Sequence, residues 1–317
     1  MSYQPSSFAQ FIGNEKAIKL AKTLISSSKT RGGNMRDIGI FGSSGTGKTT
    51  LSRIIANELG ASFNYYNGSS LIKNEDVFRI INNSIVGKEN NDRVVILIDE
   101  AHAMEDVCQD TFLSVLSERI VSRKLERFRI NTLVTFIFAT THQSLLRETI
   151  ANRMVHLNMK EYSNEEKAKI SERYVKGNNL EITKQASDIL GKITNHARDC
   201  VSICDTCIDV MSPKHKRTIT EGIVKEAMDL LEIDENGLNE KMRLYLKYIA
   251  ESEKGAMGLE TLSKKLFMDK KSVVDTVENV LLRKNFVEVE PRGRKITAKG
   301  MMIALECGDM KERMVRI

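Results

Sequence analysis

The stretch GSSGTGKT, residues 42–49, decides how the chain folds. It matches the pattern G-x-x-x-x-G-K-[ST] and lies between a short apolar run, Ile38–Phe41, and a helical pattern of apolar residues that ends at Gly60. In a strand–loop–helix of this kind, glycines let backbone N–H groups wrap phosphate oxygens, and the helix N-terminus adds a favourable dipole. The sequence therefore predicts a phosphate-binding loop, because a chance glycine-rich turn would lack the flanking strand and helix.

The side chains of this loop predict a bound nucleoside triphosphate with its metal ion. Lys48 would neutralise the β- and γ-phosphates, and the Thr49 hydroxyl would hold Mg²⁺. The predicted nucleotide contacts of the loop are Gly42, Gly45, Thr46, Gly47, Lys48, Thr49 and Thr50.

A second predicted strand, Val94–Ile98, ends in two carboxylates, Asp99 and Glu100. Its continuous β-branched composition is typical of a strand that is buried on both faces of a parallel sheet. Beside a phosphate loop, Asp99 would coordinate Mg²⁺ through water, and Glu100 would polarise the attacking water. The alternative is an acidic turn at a strand end, which the neighbouring loop motif disfavours.

Four further residues are candidates for the γ-phosphate. The apolar strand 133–139 runs into Thr140 and Thr141, and Thr141 is the first choice for contact with the phosphate and the lytic water. The alternative is a threonine that satisfies backbone groups at a strand end. Arg153 and Arg198 carry the permanently ionised, bidentate side chain that suits developing phosphate charge. From the residue pattern alone, a surface or salt-bridging role fits each arginine better.

Strand and helix patterns alternate up to residue 158, which predicts an α/β fold with a parallel sheet flanked by helices. From 164 to 233 the strand patterns stop, and three or four amphipathic helices fit. Beyond Gly237, three helical patterns precede a two-stranded basic hairpin, which is the order of a winged helix. We predict a P-loop core over 1–160, a helical lid over 161–236 and a winged-helix domain over 237–317.

The charge is uneven along the chain. Its 48 Lys+Arg and 42 Asp+Glu give a net charge of +6, and residues 238–317 hold +5 of it. A basic C-terminal domain predicts a polyanionic partner. No apolar run approaches the about 20 residues that span a bilayer, and the polar N-terminus lacks a signal-peptide pattern. We expect a soluble cytoplasmic protein with no membrane partner.

The cysteine pattern predicts burial. The chain has 5 cysteines, and an odd number without a secretion signal argues against a disulfide framework. His196, Cys200, Cys204 and Cys207 would follow one stripe of a helix over about 16 Å, which is too long for the ligands of one zinc ion. We predict that they pack in the interior.

With these motifs the sequence resembles the AAA+ ATPases and, within them, the RuvB family of Holliday junction branch migration motors, over almost the whole chain. The segments LIDEAH at 97–102 and FATT at 138–141 follow the family's I-D-E-x-H segment and G-A-T-T sensor. The segment FIGN at 11–14 is similar to the family's F-I-G-Q stretch. This resemblance implies ATP as the nucleotide and implies that Phe11 and Ile12 line an adenine pocket.

The resemblance also implies roles for four arginines. Arg153 falls on the arginine finger that the family supplies in trans to a neighbouring subunit. Arg198 falls on the sensor arginine of the lid. The segment PRGR at 291–294 matches a winged-helix motif of the family, so Arg292 and Arg294 would contact DNA phosphates.

The implied activity is ATP hydrolysis at the subunit interfaces of a homo-oligomeric ring, a hexamer, that translocates duplex DNA at a four-way junction. The chain departs from the family at several positions. His142 stands where the family has an arginine, and His196-Ala197 replaces a threonine-led lid motif. The segment between the helix that ends near Glu118 and the predicted strand 133–139 is shorter than in the family. In the family this segment includes a hairpin that docks the partner RuvA, and here its residues 120–129 are basic. A RuvA-like partner therefore stays an open question.

Two other functions stay open at this point. One is a clamp-loader or helicase-loader type AAA+ switch in DNA replication, which the short segment after Glu118 keeps under consideration. The other is a non-catalytic winged-helix regulator with a vestigial nucleotide site. ATP-dependent branch migration separates a motor from a loader, and DNA-stimulated ATPase activity excludes the regulator.

Overall fold

The computed structural model describes residues 3–123, 126–212, 216–252 and 255–305. These residues form two compact units, one made of residues 3–181 and 196–201 and the other of residues 182–195 and 202–305. None of the helices in these ranges combines the length and the apolar composition that a membrane crossing requires.

The first unit is an α/β structure. Its strands are β1 (Ile38–Phe41), β2 (Ser62–Asn67), β3 (Arg93–Asp99), β4 (Ile120–Arg123), β5 (Glu126–Arg129), β6 (Leu133–Thr140) and β7 (Val155–Asn158). Its helices are α1 (Glu15–Arg31), α2 (Lys48–Leu59), α3 (Asn74–Ile85), α4 (Asp106–Glu118), α5 (Glu148–Ala151) and α6 (Asn164–Gly177). Five strands form a parallel sheet in the order β2-β3-β6-β1-β7, and β4 and β5 form a separate antiparallel hairpin. The predicted fold class is confirmed.

The central strands of this sheet are buried on both faces. In β3, Val94, Ile96 and Ile98 pack into one hydrophobic cluster, whereas Val95 and Leu97 pack into another. Successive side chains of a strand point to opposite faces, so each cluster receives alternate residues of the run. A continuous apolar run is therefore what a sheet covered on both sides requires.

A buried carboxylate pins the register between β1 and β6. Asp37, just before β1, accepts hydrogen bonds from the Phe136 N–H and from Arg119 Nη2, both at 2.8 Å. Burial raises the pKa of Asp37 to about 6, and the positive charge of Arg119 opposes that shift. The Arg119 carbonyl accepts the Ile130 N–H at 2.8 Å. Arg119 therefore also bonds to the base of the β4–β5 hairpin through its backbone.

Further helices and short strands follow in the described residues after α6. The helices are α7 (Lys184–Ile193), α8 (Ala197–Met211), α9 (Glu221–Leu230), α10 (Glu240–Ala250), α11 (Leu259–Leu266), α12 (Lys270–Val273) and α13 (Asn279–Arg283). The strands are β8 (Glu181–Ile182), β9 (Thr218–Ile219), β10 (Ala256–Met257), β11 (Val287–Glu290) and β12 (Gly293–Ile296). A π-helical turn, Val274–Glu278, joins α12 to α13. The predicted order of three helical stretches and a hairpin is confirmed for the winged helix.

Two details differ from the prediction. Strands β8 and β9 interrupt a stretch in which the sequence predicts only helices. Strand β10 pairs with β12, so the wing is a three-stranded sheet in the order β10-β12-β11 and not a two-stranded hairpin. Two-residue strands are too short to show an alternating pattern, which is why the sequence carries no signal for them.

The predicted burial of the stripe is confirmed for its three cysteines, whereas His196 is only half-buried. Cys200, Cys204 and Cys207 expose 0% of their surface. Burial raises the pKa of Cys207 to about 12, so its thiol stays protonated and packs as a small apolar group.

A buried polar triad fixes the wing to the helices of the winged-helix domain. The Glu278 side chain, 4% exposed, accepts a hydrogen bond from the Tyr245 hydroxyl at 2.8 Å. Arg294 of β12 donates to the same carboxylate from Nε at 2.7 Å and from Nη2 at 3.1 Å. Hydrogen bonding to Glu278 raises the pKa of Arg294, and burial raises the pKa of Tyr245. The triad therefore joins α10, the π-helical turn and the wing through one charge.

We expect Glu278→Ala to lower the free energy of unfolding by about 3 kcal/mol, because it leaves the Arg294 charge buried without its counter-ion. Urea denaturation followed by circular dichroism measures this change. The matched control is Glu290→Ala, which removes an exposed carboxylate that pairs with Lys295 at 3.1 Å and should change stability by less than about 1 kcal/mol. Equal effects of the two substitutions would contradict the role of the triad.

Candidate active site

The three predicted motifs of the core meet at one edge of the parallel sheet. Phe41 of β1 lies opposite Thr140 of β6, and Ile98 of β3 lies opposite Phe138 of β6. Neighbouring parallel strands end on the same side, so the loop after β1, the carboxylates after β3 and the threonines after β6 come together. Ligands of open α/β sheets bind in crevices at this edge.

The phosphate loop has the geometry of an anion site. Helix α2 begins at Lys48, whose Nζ donates to the carbonyls of Gly42 at 2.8 Å and Ser43 at 2.9 Å. Gly47 has φ +89°, and a Cβ there would lie 2.8 Å from the Tyr162 hydroxyl. Only glycine therefore fits this turn, which directs backbone N–H groups and the helix N-terminus toward the loop interior.

The charges around Lys48 are balanced. Burial lowers the pKa of Lys48, whereas the carboxylates of Glu100 and Asp99 raise it. The positive charge of Arg198 lowers this pKa further, so Arg198 acts on the same site. Two cations and two anions thus surround the place where the sequence predicts a triphosphate.

The residues predicted to hold a metal ion are in direct contact. Thr49 Oγ1 donates to Asp99 Oδ2 at 2.7 Å, and Asp99 Oδ1 accepts the Glu100 N–H at 3.1 Å. Hydroxyl and carboxylate oxygens are the hard ligands that Mg²⁺ prefers beside phosphates. The donor set at this position therefore fits Mg²⁺.

Glu100 projects from a strained backbone turn toward the end of β6. Its φ is +49°, a conformation that non-glycine residues rarely adopt and that recurs at functional sites. Its Oε2 lies 3.3 Å from Thr141 Oγ1 and 3.3 Å from His102 Nδ1. Thr140, fully buried, instead contacts His102 Nδ1 at 2.8 Å. The geometry thus separates the two threonines: Thr141 contacts Glu100, and Thr140 supports His102.

A cavity of about 330 Å³ opens beside the loop, within the first unit. The predicted residues that line it are Phe11, Ile12, Gly45, Gly47, Lys48, Thr49, Thr50, Asp99, Glu100 and Arg198. Its volume suits a cofactor-sized ligand. Gly42 and Thr46 do not line the cavity but stabilise the loop. The Gly42 carbonyl accepts a hydrogen bond from Lys48, and the Thr46 hydroxyl donates to the Ser43 carbonyl at 2.9 Å.

Several lining residues were not found by sequence reasoning. Tyr162 donates its hydroxyl to the Thr46 carbonyl at 2.9 Å, and burial raises its pKa. Arg173 lines the cavity from α6 and donates to the Ala9 carbonyl at 3.3 Å. Neither residue belongs to a local motif, so the only available signal is that Tyr162 precedes a helix with a strong N-terminal cap at Ser163.

Arg153 lies on the surface. Its Nε donates to Ser117 Oγ at 2.7 Å and its Nη1 to the Thr149 carbonyl at 2.6 Å. It is exposed and does not line the cavity of its own chain. A role in trans therefore stays a prediction that this placement allows.

The two wing arginines differ in their surroundings. Arg292 is exposed in the turn between β11 and β12. Arg294 is 19% exposed, and its guanidinium already donates twice to Glu278. A phosphate contact at Arg294 would compete with this ion pair, so the structure gives Arg294 an internal role that the sequence did not predict.

The comparisons with known proteins match both ends of the chain. Residues 3–159 match the model described as Holliday junction DNA helicase RuvB P-loop domain, and residues 235–304 match the RuvB C-terminal winged helix domain. The chain is 30% identical over 317 residues to the branch migration complex subunit RuvB of Ehrlichia canis, covering 95% of this chain and 92% of that protein. It is 29% identical over 309 residues to RuvB of Mycoplasmopsis pulmonis, covering 94% and 96%.

Solved structures agree with these sequence matches. The Thermotoga maritima RuvB Holliday junction branch migration motor is 28% identical, with a TM-score of 0.79 over 94% of this chain and 96% of that one. The Aeropyrum pernix ORC2 protein, 15% identical with a TM-score of 0.56, shares the fold alone. The sequence and structure matches together show that the chain belongs to the RuvB family of Holliday junction branch migration ATPases.

Proposed function

We propose that this chain is an ATP-driven motor that translocates duplex DNA to drive branch migration of four-way junctions in recombination and repair. The observation that carries the proposal is the convergence of Lys48, the Thr49–Asp99 pair and Glu100 on one cavity in a RuvB-family chain. Thr141 lies outside the cavity lining and contacts Glu100. We place this activity in the cytoplasm.

The hydrolytic step follows from the charges of the site. Lys48 would neutralise the β- and γ-phosphate oxygens of ATP, and Thr49 and Asp99 would hold Mg²⁺. When bound, Mg²⁺ neutralises charge that develops on the phosphates. Glu100 orients and polarises the attacking water, and Thr141 holds the Glu100 carboxylate. Arg198 contacts the γ-phosphate and so couples nucleotide binding to the position of the lid.

We propose that the active unit is a homo-oligomeric ring, a hexamer, in which Arg153 completes the active site of the neighbouring subunit. Its exposed position outside the cavity of its own chain supports this role. An arginine supplied in trans stabilises the charge of the transition state and makes hydrolysis depend on assembly.

The proposed DNA contact lies on the wing. Arg292 is the candidate for the phosphate contact, and Arg294 holds the wing in place through Glu278. The net charge of +5 over residues 238–317 supports this assignment, because backbone phosphates dominate protein affinity for duplex DNA. In this proposal residues 1–160 hydrolyse ATP, 161–236 form the lid and 237–317 bind DNA.

The loader alternative has no observation in its favour, since the matched relatives are branch migration proteins and the ORC2 likeness extends to the fold alone. A RuvA-like partner is a separate matter. The described part of the β4–β5 hairpin carries exposed Arg127, Phe128 and Arg129, so any partner docking there meets a basic surface. Branch migration assayed with and without a RuvA-like protein decides whether such a partner is used.

We expect Glu100→Gln to bind ATP with unchanged affinity but to lose at least about 100-fold in kcat, because the amide cannot polarise the attacking water. Wild-type protein should move the branch point of a four-way junction in an ATP-dependent gel assay, and Glu100→Gln should not. Lys48→Ala is the matched control and should lose ATP binding itself. Branch migration by Glu100→Gln at the wild-type rate would contradict the proposed function.

We expect Arg153→Ala to bind ATP normally and to lose about 1000-fold or more in assembly-dependent hydrolysis. The decisive measurement mixes Arg153→Ala with Glu100→Gln subunits. If the finger acts in trans, mixed rings contain interfaces with one intact Glu100 and one intact Arg153, so activity exceeds that of either variant alone. Mixtures that show no gain would place Arg153 outside the neighbouring site.

We expect Arg292→Ala to weaken duplex binding and to reduce the slope of log Kd against log salt by about 1, which is the loss of one phosphate contact. The matched control is the double substitution Arg294→Met with Glu278→Leu, which replaces the internal ion pair with apolar groups and should keep the slope. A reduced slope in the control would show that Arg294 also contacts a DNA phosphate.

A further inference from the structure

Two histidines near the end of β6 have no role in the hydrolytic step described above: His102, which contacts Glu100, and His142, which contacts Thr141. The ring centroids of His102 and His142 are 4.7 Å apart, with an interplanar angle of 58°. His142 follows the end of β6 and stands where the RuvB-like pattern has an arginine. It is therefore a residue of this chain's own site that the family pattern does not explain.

The hydrogen bonds of Thr141 have a defined direction. Its Oγ1 lies 3.3 Å from Glu100 Oε2 and 2.8 Å from His142 Nδ1. A hydroxyl carries one proton, and a carboxylate can only accept. For both contacts to be hydrogen bonds at once, the Thr141 proton must point to Glu100, and His142 Nδ1 must carry a proton and donate to Thr141.

The main chain of His142 is held in the same network. Its N–H donates to Thr140 Oγ1 at 3.0 Å, and that oxygen also contacts His102 Nδ1 at 2.8 Å. His102 Nδ1 lies 3.3 Å from Glu100 Oε2. The ring of His142 therefore contacts Thr141, which touches the Glu100 carboxylate, and its backbone contacts Thr140, which reaches that carboxylate only through His102. The Glu100 side chain is 40% exposed.

We propose that His142 is a positioning residue for ATP hydrolysis. Because its Nδ1 donates to the Thr141 oxygen, the Thr141 hydroxyl donates its own proton to Glu100. This hydrogen bond holds the Glu100 carboxylate in one orientation toward the attacking water. The inference rests on the proposed role of Glu100. Without the His142 donor, the Thr141 hydroxyl can rotate away, and the half-exposed Glu100 side chain loses a fixed partner.

The proposal predicts an effect on turnover and not on nucleotide binding, because His142 does not line the cavity. Loss of orientation at a reacting group costs up to about 100-fold in rate, and one of the two contacts on Glu100 remains through His102. We therefore expect a loss of about tenfold in kcat with an unchanged KM for ATP.

The test compares three substitutions in steady-state ATPase assays of the full chain with DNA present. His142→Phe keeps an aromatic ring against His102 but removes the donor, and it should lower kcat about tenfold. His142→Asn places an amide N–H near the position of Nδ1 and should restore kcat to within about threefold of wild type. Gln143→Ala changes an exposed neighbour and should behave as wild type.

A double-mutant cycle guards against effects of folding. Thr141→Val removes the hydroxyl that links His142 to Glu100. In that background His142→Phe should therefore cause no further loss of kcat. Wild-type turnover in His142→Phe, equal losses in His142→Phe and His142→Asn, or additive losses in the cycle would each overturn the inference. If Glu100→Gln retains turnover, the proposed role of Glu100 is contradicted. If Glu100→Gln loses turnover but His142→Phe does not, only the inference about His142 is contradicted.

Discussion

The active site depends on the parallel pairing of β1, β3 and β6. This pairing brings the phosphate loop, Asp99 and Thr141 to one edge of the sheet, although they are distant in the sequence. The pairing is stable because both faces of the central strands are buried in apolar clusters. A shift by one residue would exchange the two faces of a strand, and the Asp37 contact with the Phe136 N–H opposes such a shift.

Within that frame, buried and half-buried polar groups decide the orientation of each functional side chain. Thr49 holds Asp99, Thr141 holds Glu100, and the loop carbonyls hold Lys48. Each contact fixes a charged group before ATP arrives. Preorganised charges of this kind cost little reorganisation when the transition state develops its own charge. His142 extends the same principle one step outward, from the carboxylate to the hydroxyl that holds it.

The winged-helix domain uses an internal charge in a similar way. Glu278 receives Tyr245 and Arg294 together, so the wing is fixed to α10 and the π-helical turn. A buried ion pair of this kind adds little net stability, but removing one partner is costly. The position of the wing, and with it of the exposed Arg292, therefore depends on a residue that need not touch DNA.

The sequence by itself determined the features that are contiguous along the chain. The phosphate loop, the strand before Asp99 and the order of helices and wing each have a local pattern, since backbone geometry repeats every two or 3.6 residues. Only the tertiary structure decided which threonine contacts Glu100, that Tyr162 closes over the loop, and that Arg294 turns inward to Glu278. These contacts join residues far apart in the sequence, and local periodicity carries no information about which distant groups the fold brings together.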